Sequence, residues 1–238
     1  TATVGVALAI LLALISQDPF NGMKETITSG LASIVYGNNF LQISRNPYFE
    51  ANNSTLIHYW SLAVEEQFYL VLVCIFALFG IAKQAEPKKL VQRVVVVITG
   101  VAFVSFLSSE LLRTPNSRVR VMELFSISDT QAAMINFYSP LTRFWEIGAG
   151  CSCAFVATKW VKPNRNTLNI SSLSGVILIV VSMLKISPNT PFPGINAVAL
   201  VAGTSLLLFG GTASSRWVKR GISRIRVFHW IGDRSYGI

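Results

Sequence analysis

Charge is what this chain has least of. Only 13% of its 238 residues are Asp, Glu, Lys or Arg, against about 25% in a soluble domain. That deficit excludes an ordinary solvated globular surface. Cysteine is scarce as well: Cys74, Cys151 and Cys153 all lie inside apolar blocks, without paired spacing. A disulfide framework and a cysteine zinc site are therefore excluded, and the three read as small apolar packing residues. Histidine occurs only twice, and no metal site is expected. Internal repeats and low-complexity tracts are missing too, which excludes a solenoid.

What the chain does have is long hydrophobic runs. Its 52% apolar content is gathered into blocks at Val4–Ser16, Ser61–Ala82, Val94–Leu112, Leu141–Ala157, Ile170–Leu184 and Ile195–Gly211, with a further one opening near Phe228. A span needs about 20 apolar residues, so the blocks predict an all-α polytopic transmembrane bundle of about six to seven spans, one domain over the whole chain. The polar stretch before Trp60 is long enough for an interfacial helix around "GLASIVYGNNFLQI".

The net charge of +9 does not indicate a nucleic-acid partner, because the basic residues flank the apolar blocks. Twelve Lys and Arg fall in the connections 83–93, 158–169 and 212–227, and six in the alternate ones: Lys24, Arg45, Arg113, Arg118, Arg120 and Lys185. The heavier set falls on every second loop, as a cytoplasmic face should. The second and fourth blocks then both enter the membrane from outside.

Against this background two acidic residues stand out in "IHYWSLAVEEQFYLVLVCIFALFG", Ile57 to Gly80. At 100° per residue Ser61, Glu65, Glu66 and Tyr69 fall within one arc of about 140°, while Gln67 projects from the opposite side. A plain reading is an acidic helix start, with Ser61 as N-cap and the helix dipole favouring the carboxylates. A stripe of serine, two acids and a phenol exceeds what a cap needs, and lipid would penalise it. His58 and Trp60 stand just before it.

The second constellation is "SPLTRFWEIGAG", Ser139 to Gly150. Pro140 marks a helix start, and Arg143 and Glu146 are spaced to pair on one face. Arg143 alone would also fit a snorkelling interfacial side chain. Gly148 and Gly150 permit close approach of a neighbouring helix. Glu110 and Arg113 are placed for an ordinary helix-end ion pair, and His229 is given no role.

"HYWSLAVEEQFYL", His58 to Leu70, resembles the H-x-W-S-L-x-V-E-E-Q-F-Y signature of the bacterial membrane acyltransferase family 3, and "RFWEIGAG" is similar to the R-x-W-E-L-x-x-G element that follows it there. Fainter echoes are "YGNNFLQISRNPYF", "FPGINAVALVAGTSLLL" and "IGDRSYGI". The resemblance implies a bundle of about ten spans of which this chain is an internal fragment, with the family's catalytic histidine base and its Arg-rich acyl-CoA-binding motif upstream of Thr1. It implies an O-acyltransferase of the bacterial inner membrane, moving an acyl group, most often acetyl, from acyl-CoA to an envelope or exported carbohydrate such as O-antigen or exopolysaccharide. No bound cofactor is implied; acyl-CoA is the donor substrate, and the partners are the carbohydrate and the lipid bilayer.

Carried over residue by residue, the resemblance points to Glu65, Glu66, Tyr69, Arg143 and Glu146 as catalytic. It points to His58, Trp60, Ser61, Gln67, Trp145, Ser235 and Tyr236 as substrate-binding. Intramembrane acids also suit a proton-coupled transporter, although no broken helix pair recurs in two halves. A non-catalytic membrane protein of envelope assembly is the other alternative.

Overall fold

A computed structural model describes residue 7 and residues 22–45, 56–82, 87–159, 164–187 and 190–212. These residues form α1 (Gly22–Ile34), α2 (Asn38–Ser44), α3 (Tyr59–Ala82), α4 (Pro87–Arg113) and α5 (Pro115–Phe125), followed by α6 (Asp129–Tyr138), α7 (Pro140–Lys159), α8 (Arg165–Lys185) and α9 (Ile195–Thr212). Among the described residues there is no strand.

Three helices are long and apolar enough to cross a membrane: Tyr59–Phe79, Lys89–Arg113 and Arg165–Lys185. At about 1.5 Å per residue each covers the ~30 Å of a hydrocarbon core. The expected six to seven spans are not reached on these residues. Ile195–Gly211 is apolar but shorter, and α7 carries Arg143 and Glu146 in its first turns. Apart from residue 7, the first and last expected blocks lie outside the described residues. Outward faces remain apolar, with Leu70, Val73, Leu173 and Leu184 all exposed, as lipid contact requires.

Local chemistry sets the breaks. The single interfacial helix expected before Trp60 is two helices, because Tyr36 takes a left-handed φ of 52° and the Gly37 N–H closes the turn on Ala32 O at 2.7 Å. The connection expected after Leu112 holds two short helices. Pro115 opens α5, and Ser128 with Gln131 builds a reciprocal capping box on α6, a pairing that satisfies two orphan N–H groups. Pro140 begins α7 as expected, since its missing N–H costs nothing there.

The core lies where α3, α4 and α7 meet: Val64, Phe68, Val94, Ile98 and Phe144. α4 and α7 run antiparallel, with the Trp145 N–H donating to Ser105 Oγ at 3.1 Å and Ser152 Oγ 2.9 Å from Thr99 Oγ1. α8 and α9 form a second antiparallel pair, close enough that a Cβ on Gly175 would lie 2.6 Å from Gly203 O and one on Gly203 2.9 Å from Gly175 O. Cys153 Sγ reaches Ser205 O at 3.4 Å, joining α7 to α9. Cys74, by contrast, is exposed; it is not the packing residue expected, because it falls on the outward face of α3.

The two glycines of "GAG" separate. A Cβ on Gly148 would sit 2.7 Å from Ala102 Cβ, whereas nothing lies within 4 Å of one on Gly150. Only Gly148 permits the close approach. Gly148→Ala is expected to lower stability by about 1–3 kcal/mol through overpacking. Gly150→Ala should be neutral or raise stability by up to about 1 kcal/mol, the helix-propensity gain. Thermal unfolding of the two variants in detergent checks the opposite signs.

Candidate functional site

The site is assembled by a short helix. On α2, Asn38, Asn39 and Gln42 are all buried. Asn38 Nδ2 donates to Leu56 O at 2.8 Å, at the turn that feeds α3, and Gln42 Nε2 donates to Asn38 Oδ1 at 3.2 Å. Asn39 exchanges hydrogen bonds with Gln67, at 3.3 Å from Asn39 Nδ2 and 2.9 Å from Gln67 Nε2, and Nδ2 also reaches Tyr138 O at 3.4 Å. Gln67 Nε2 donates in addition to Tyr36 O at 2.6 Å. Gln67 thus ties α3 to the α1–α2 turn, on the opposite side from the acids as its helical position requires.

This clamp sets the start of α3 beside the end of α6. Trp60 packs on Phe137 and edge-on to Tyr138, with ring centroids 5.1 and 5.0 Å apart. Into that corner α7 projects Arg143, whose side chain is only 9% exposed. Its Nη1 donates to Glu146 Oε1 at 2.8 Å and its Nε to Phe137 O at 2.9 Å. The guanidinium lies 5.3, 4.8 and 5.0 Å from the ring centres of Trp60, Phe137 and Phe192. Three rings from three separate segments therefore enclose one cation, each contact contributing about 0.5–2 kcal/mol by its degree of desolvation.

Arg143 is consequently not a snorkelling side chain. The pairing with Glu146 is as expected, while the enclosure has no counterpart in the sequence motif. Thr142, next to it, donates from Oγ1 to Asn136 O at 2.9 Å and locks the α6–α7 corner. Trp145 is buried edge-on to Phe106 of α4, 5.1 Å between centroids, so it belongs to the helix packing beside this corner.

The acids of α3 are placed differently. Glu65, Ser61 and Tyr69 are exposed on one face and Glu66 is half-buried. α3 begins at Tyr59, so Ser61 is not its N-cap: its Oγ donates back to His58 O at 3.2 Å. No acidic residue occupies the first turn. Glu65 is the seventh residue of the helix, about 9 Å from its start, beyond the single turn over which the dipole acts. The helix-start explanation for the two glutamates is thereby removed. The structure brings together Trp60, Arg143 and Glu146, with Gln67 in the clamp. It leaves His58, Ser61, Glu65 and Tyr69 facing outward from the described helices. Ser235 and Tyr236 lie outside the described residues.

Sequence reasoning missed Asn38, Asn39, Phe137 and Phe192. Two adjacent amides within an otherwise apolar stretch were the available signal for the first pair. Phe137 had none, whereas Phe192 opens the echo "FPGINAVALVAGTSLLL".

Fold and site together define an all-helical membrane protein with a desolvated arginine–glutamate pair at the end of the bundle where α3 and α7 begin. Compared with known proteins, the chain is 26% identical over 228 residues to the peptidoglycan O-acetyltransferase OatA of Listeria monocytogenes, a match covering 91% of this chain and 33% of that protein. The chain thus spans about a third of the Listeria relative's length. It is also 26% identical over 204 residues to an uncharacterized protein of Haemophilus influenzae, covering 84% of this chain and 76% of that one. No family model matches, and no solved structure does. Weak similarity over nine-tenths of the chain and the two motifs support the same reading, an acyltransferase-3-like membrane family.

Proposed function

We propose that this chain is the membrane-embedded part of an O-acyltransferase that moves an acetyl or related acyl group from acyl-CoA to a hydroxyl of an envelope carbohydrate. The observation that carries the reading is the meeting of the two motif helices at one end of the bundle, where Arg143 is held against Trp60. The similarity to a protein named as a peptidoglycan O-acetyltransferase supports it. In this reading the bundle lies in a bacterial inner membrane.

In this reading the acceptor oxygen attacks the thioester carbonyl carbon, the C–S bond breaks, and the CoA thiolate leaves. The hydroxyl proton passes to a base, and the developing oxyanion takes hydrogen bonds from fixed donors. Glu65 or Glu66 orients the base or the acceptor hydroxyl, and Tyr69 donates a hydrogen bond. Ser61 and His58 border the same exposed face and contact the acceptor, with Ser235 and Tyr236 assigned to it on the motif alone. Arg143 and Glu146 act by positioning, since their enclosure with Trp60 sets the first turn of α3. Gln67 and Trp145 support that placement through the α2 clamp and the α4 packing.

The test is a strain lacking the complete gene. Its envelope polysaccharide is expected to lose alkali-labile O-acetyl groups, which return on complementation. Unchanged O-acetyl content, together with proton-driven solute flux by the purified protein without acyl donor, would overturn the proposal in favour of transport.

A further inference from the structure

At the end of the bundle where α4 and α8 finish and α9 begins, a cavity of about 470 Å³ opens, within the usual range for ligand sites. Its wall is largely apolar, with Met134, Phe137 and Phe192 among its side chains, and its polar residues include Arg113, Arg118 and Asn136 together with Ser187 and Thr190. Phe137 and Phe192 are also two of the rings around Arg143, so the cavity abuts that enclosure.

The polar groups are arranged in a particular way. Arg113 binds the Glu110 carboxylate through Nε at 2.9 and 3.0 Å and through Nη2 at 2.8 Å. Arg118 holds Asp129 with Nε 3.0 Å from Oδ1 and Nη2 donating to the Asp129 carbonyl. Glu110 does more than form a helix-end pair, since it also accepts the Ile195 N–H at the start of α9. Neither carboxylate is part of the cavity wall. The Glu110 carboxylate and the Asp129 carbonyl hold the two guanidinium groups, and among the described residues Nη1 of neither arginine has a hydrogen-bond partner. A guanidinium held in this way offers Nη1 as a fixed, charge-assisted donor, which suits a phosphate oxygen. Asn136 is only 4% exposed, and its Oδ1 is buried without a hydrogen bond among the described residues. A buried acceptor of this sort calls for a donor.

We propose that the cavity binds a phosphate-headed amphiphile bearing a hydroxyl close to the phosphate. The apolar wall takes the first part of the tail, Arg113 and Arg118 take the phosphate, and Asn136 Oδ1 accepts from the hydroxyl. The three spans place this cavity at a membrane boundary, where such a molecule enters sideways from the bilayer. The inference is independent of acyl transfer, because binding is read directly.

The complete gene product, purified in a neutral maltoside detergent, is examined by native mass spectrometry with three probes. Lysophosphatidylglycerol carries phosphate, hydroxyls and one tail; monoacylglycerol lacks the phosphate, and glycerol 3-phosphate lacks the tail. One lysophosphatidylglycerol per chain is expected to be retained, with both other probes weaker by about tenfold or more, the effect of losing one charge-assisted contact or the apolar burial. Arg118→Gln should cost a similar factor for lysophosphatidylglycerol and leave monoacylglycerol unchanged. Asn136→Leu should weaken binding as well. Equal retention of monoacylglycerol would overturn the proposal, because the arginines would then recognise nothing. Glycerol 3-phosphate binding as tightly as the lipid would overturn it in favour of a free phosphate ligand. The comparison of probes on the unsubstituted protein stands even if both variants misfold.

Discussion

Arg143→Leu is expected to destabilise the protein by about 3–5 kcal/mol, the cost of breaking a buried ion pair from one side. The substitution strands the Glu146 carboxylate and removes the donor that Phe137 O now accepts from. It also empties the space between Trp60, Phe137 and Phe192 of the cation they face. Arg143→Lys keeps the charge but lacks the planar fork that reaches Glu146 and Phe137 O together, so it should recover only part of the loss. The double variant Arg143→Leu with Glu146→Leu should be more stable than Arg143→Leu alone, because no charge is then left buried without its partner. Thermal unfolding in detergent measures all three. Equal midpoints for Arg143→Leu and the unsubstituted protein would show that the enclosure contributes nothing.

The second large effect concerns activity. Under the proposed function, Glu65→Gln and Glu66→Gln, made singly in the complete gene product, should leave at least one variant with acetyl transfer reduced about 10²–10⁴-fold, the usual scale for a positioned acid or base. Stability should change little in Glu65→Gln, since that side chain is exposed and forms no hydrogen bond or ion pair among the described residues that the substitution would break. Tyr69→Phe should reduce transfer by a smaller factor, as expected for loss of one hydrogen-bond donor. Transfer is read as acetyl ester formed per enzyme at matched expression. Full activity in both glutamate variants would reject a catalytic role for the pair and return them to being surface acids.

Much of the fold was legible because helices in lipid are written locally. The starts at Pro140 and Ile195 fall where proline and hydropathy put them, and the expected second, third and fifth blocks lie within α3, α4 and α8. Errors arose where backbone conformation overrode the pattern. Tyr36 in the left-handed region divides one expected helix, and Tyr59 begins α3 two residues early, which takes Ser61 out of the capping position. Gly148 and Gly150 look alike in sequence and differ only in what faces them.

For the site, spacing alone paired Arg143 with Glu146 and grouped Ser61, Glu65, Glu66 and Tyr69 on one arc, because both relations are internal to a single helix. Nothing in the linear pattern associates residue 143 with Trp60, Phe137 and Phe192, or Asn39 with Gln67 and Tyr138. Those groups come from separate segments, and their meeting depends on how α2, α3, α6 and α7 pack.

Apolar content and its periodicity by themselves determined that this is a helical membrane protein, with most helices where the blocks fall, since each backbone in lipid must satisfy its own hydrogen bonds. Tertiary packing alone decided that Arg143 is enclosed while Glu65 faces outward, and that two arginines line one cavity with Asn136, whose amide oxygen has no hydrogen bond among the described residues. Burial and partnership are properties of contacts between distant segments, and side-chain periodicity along one helix carries no information about which neighbour it will meet.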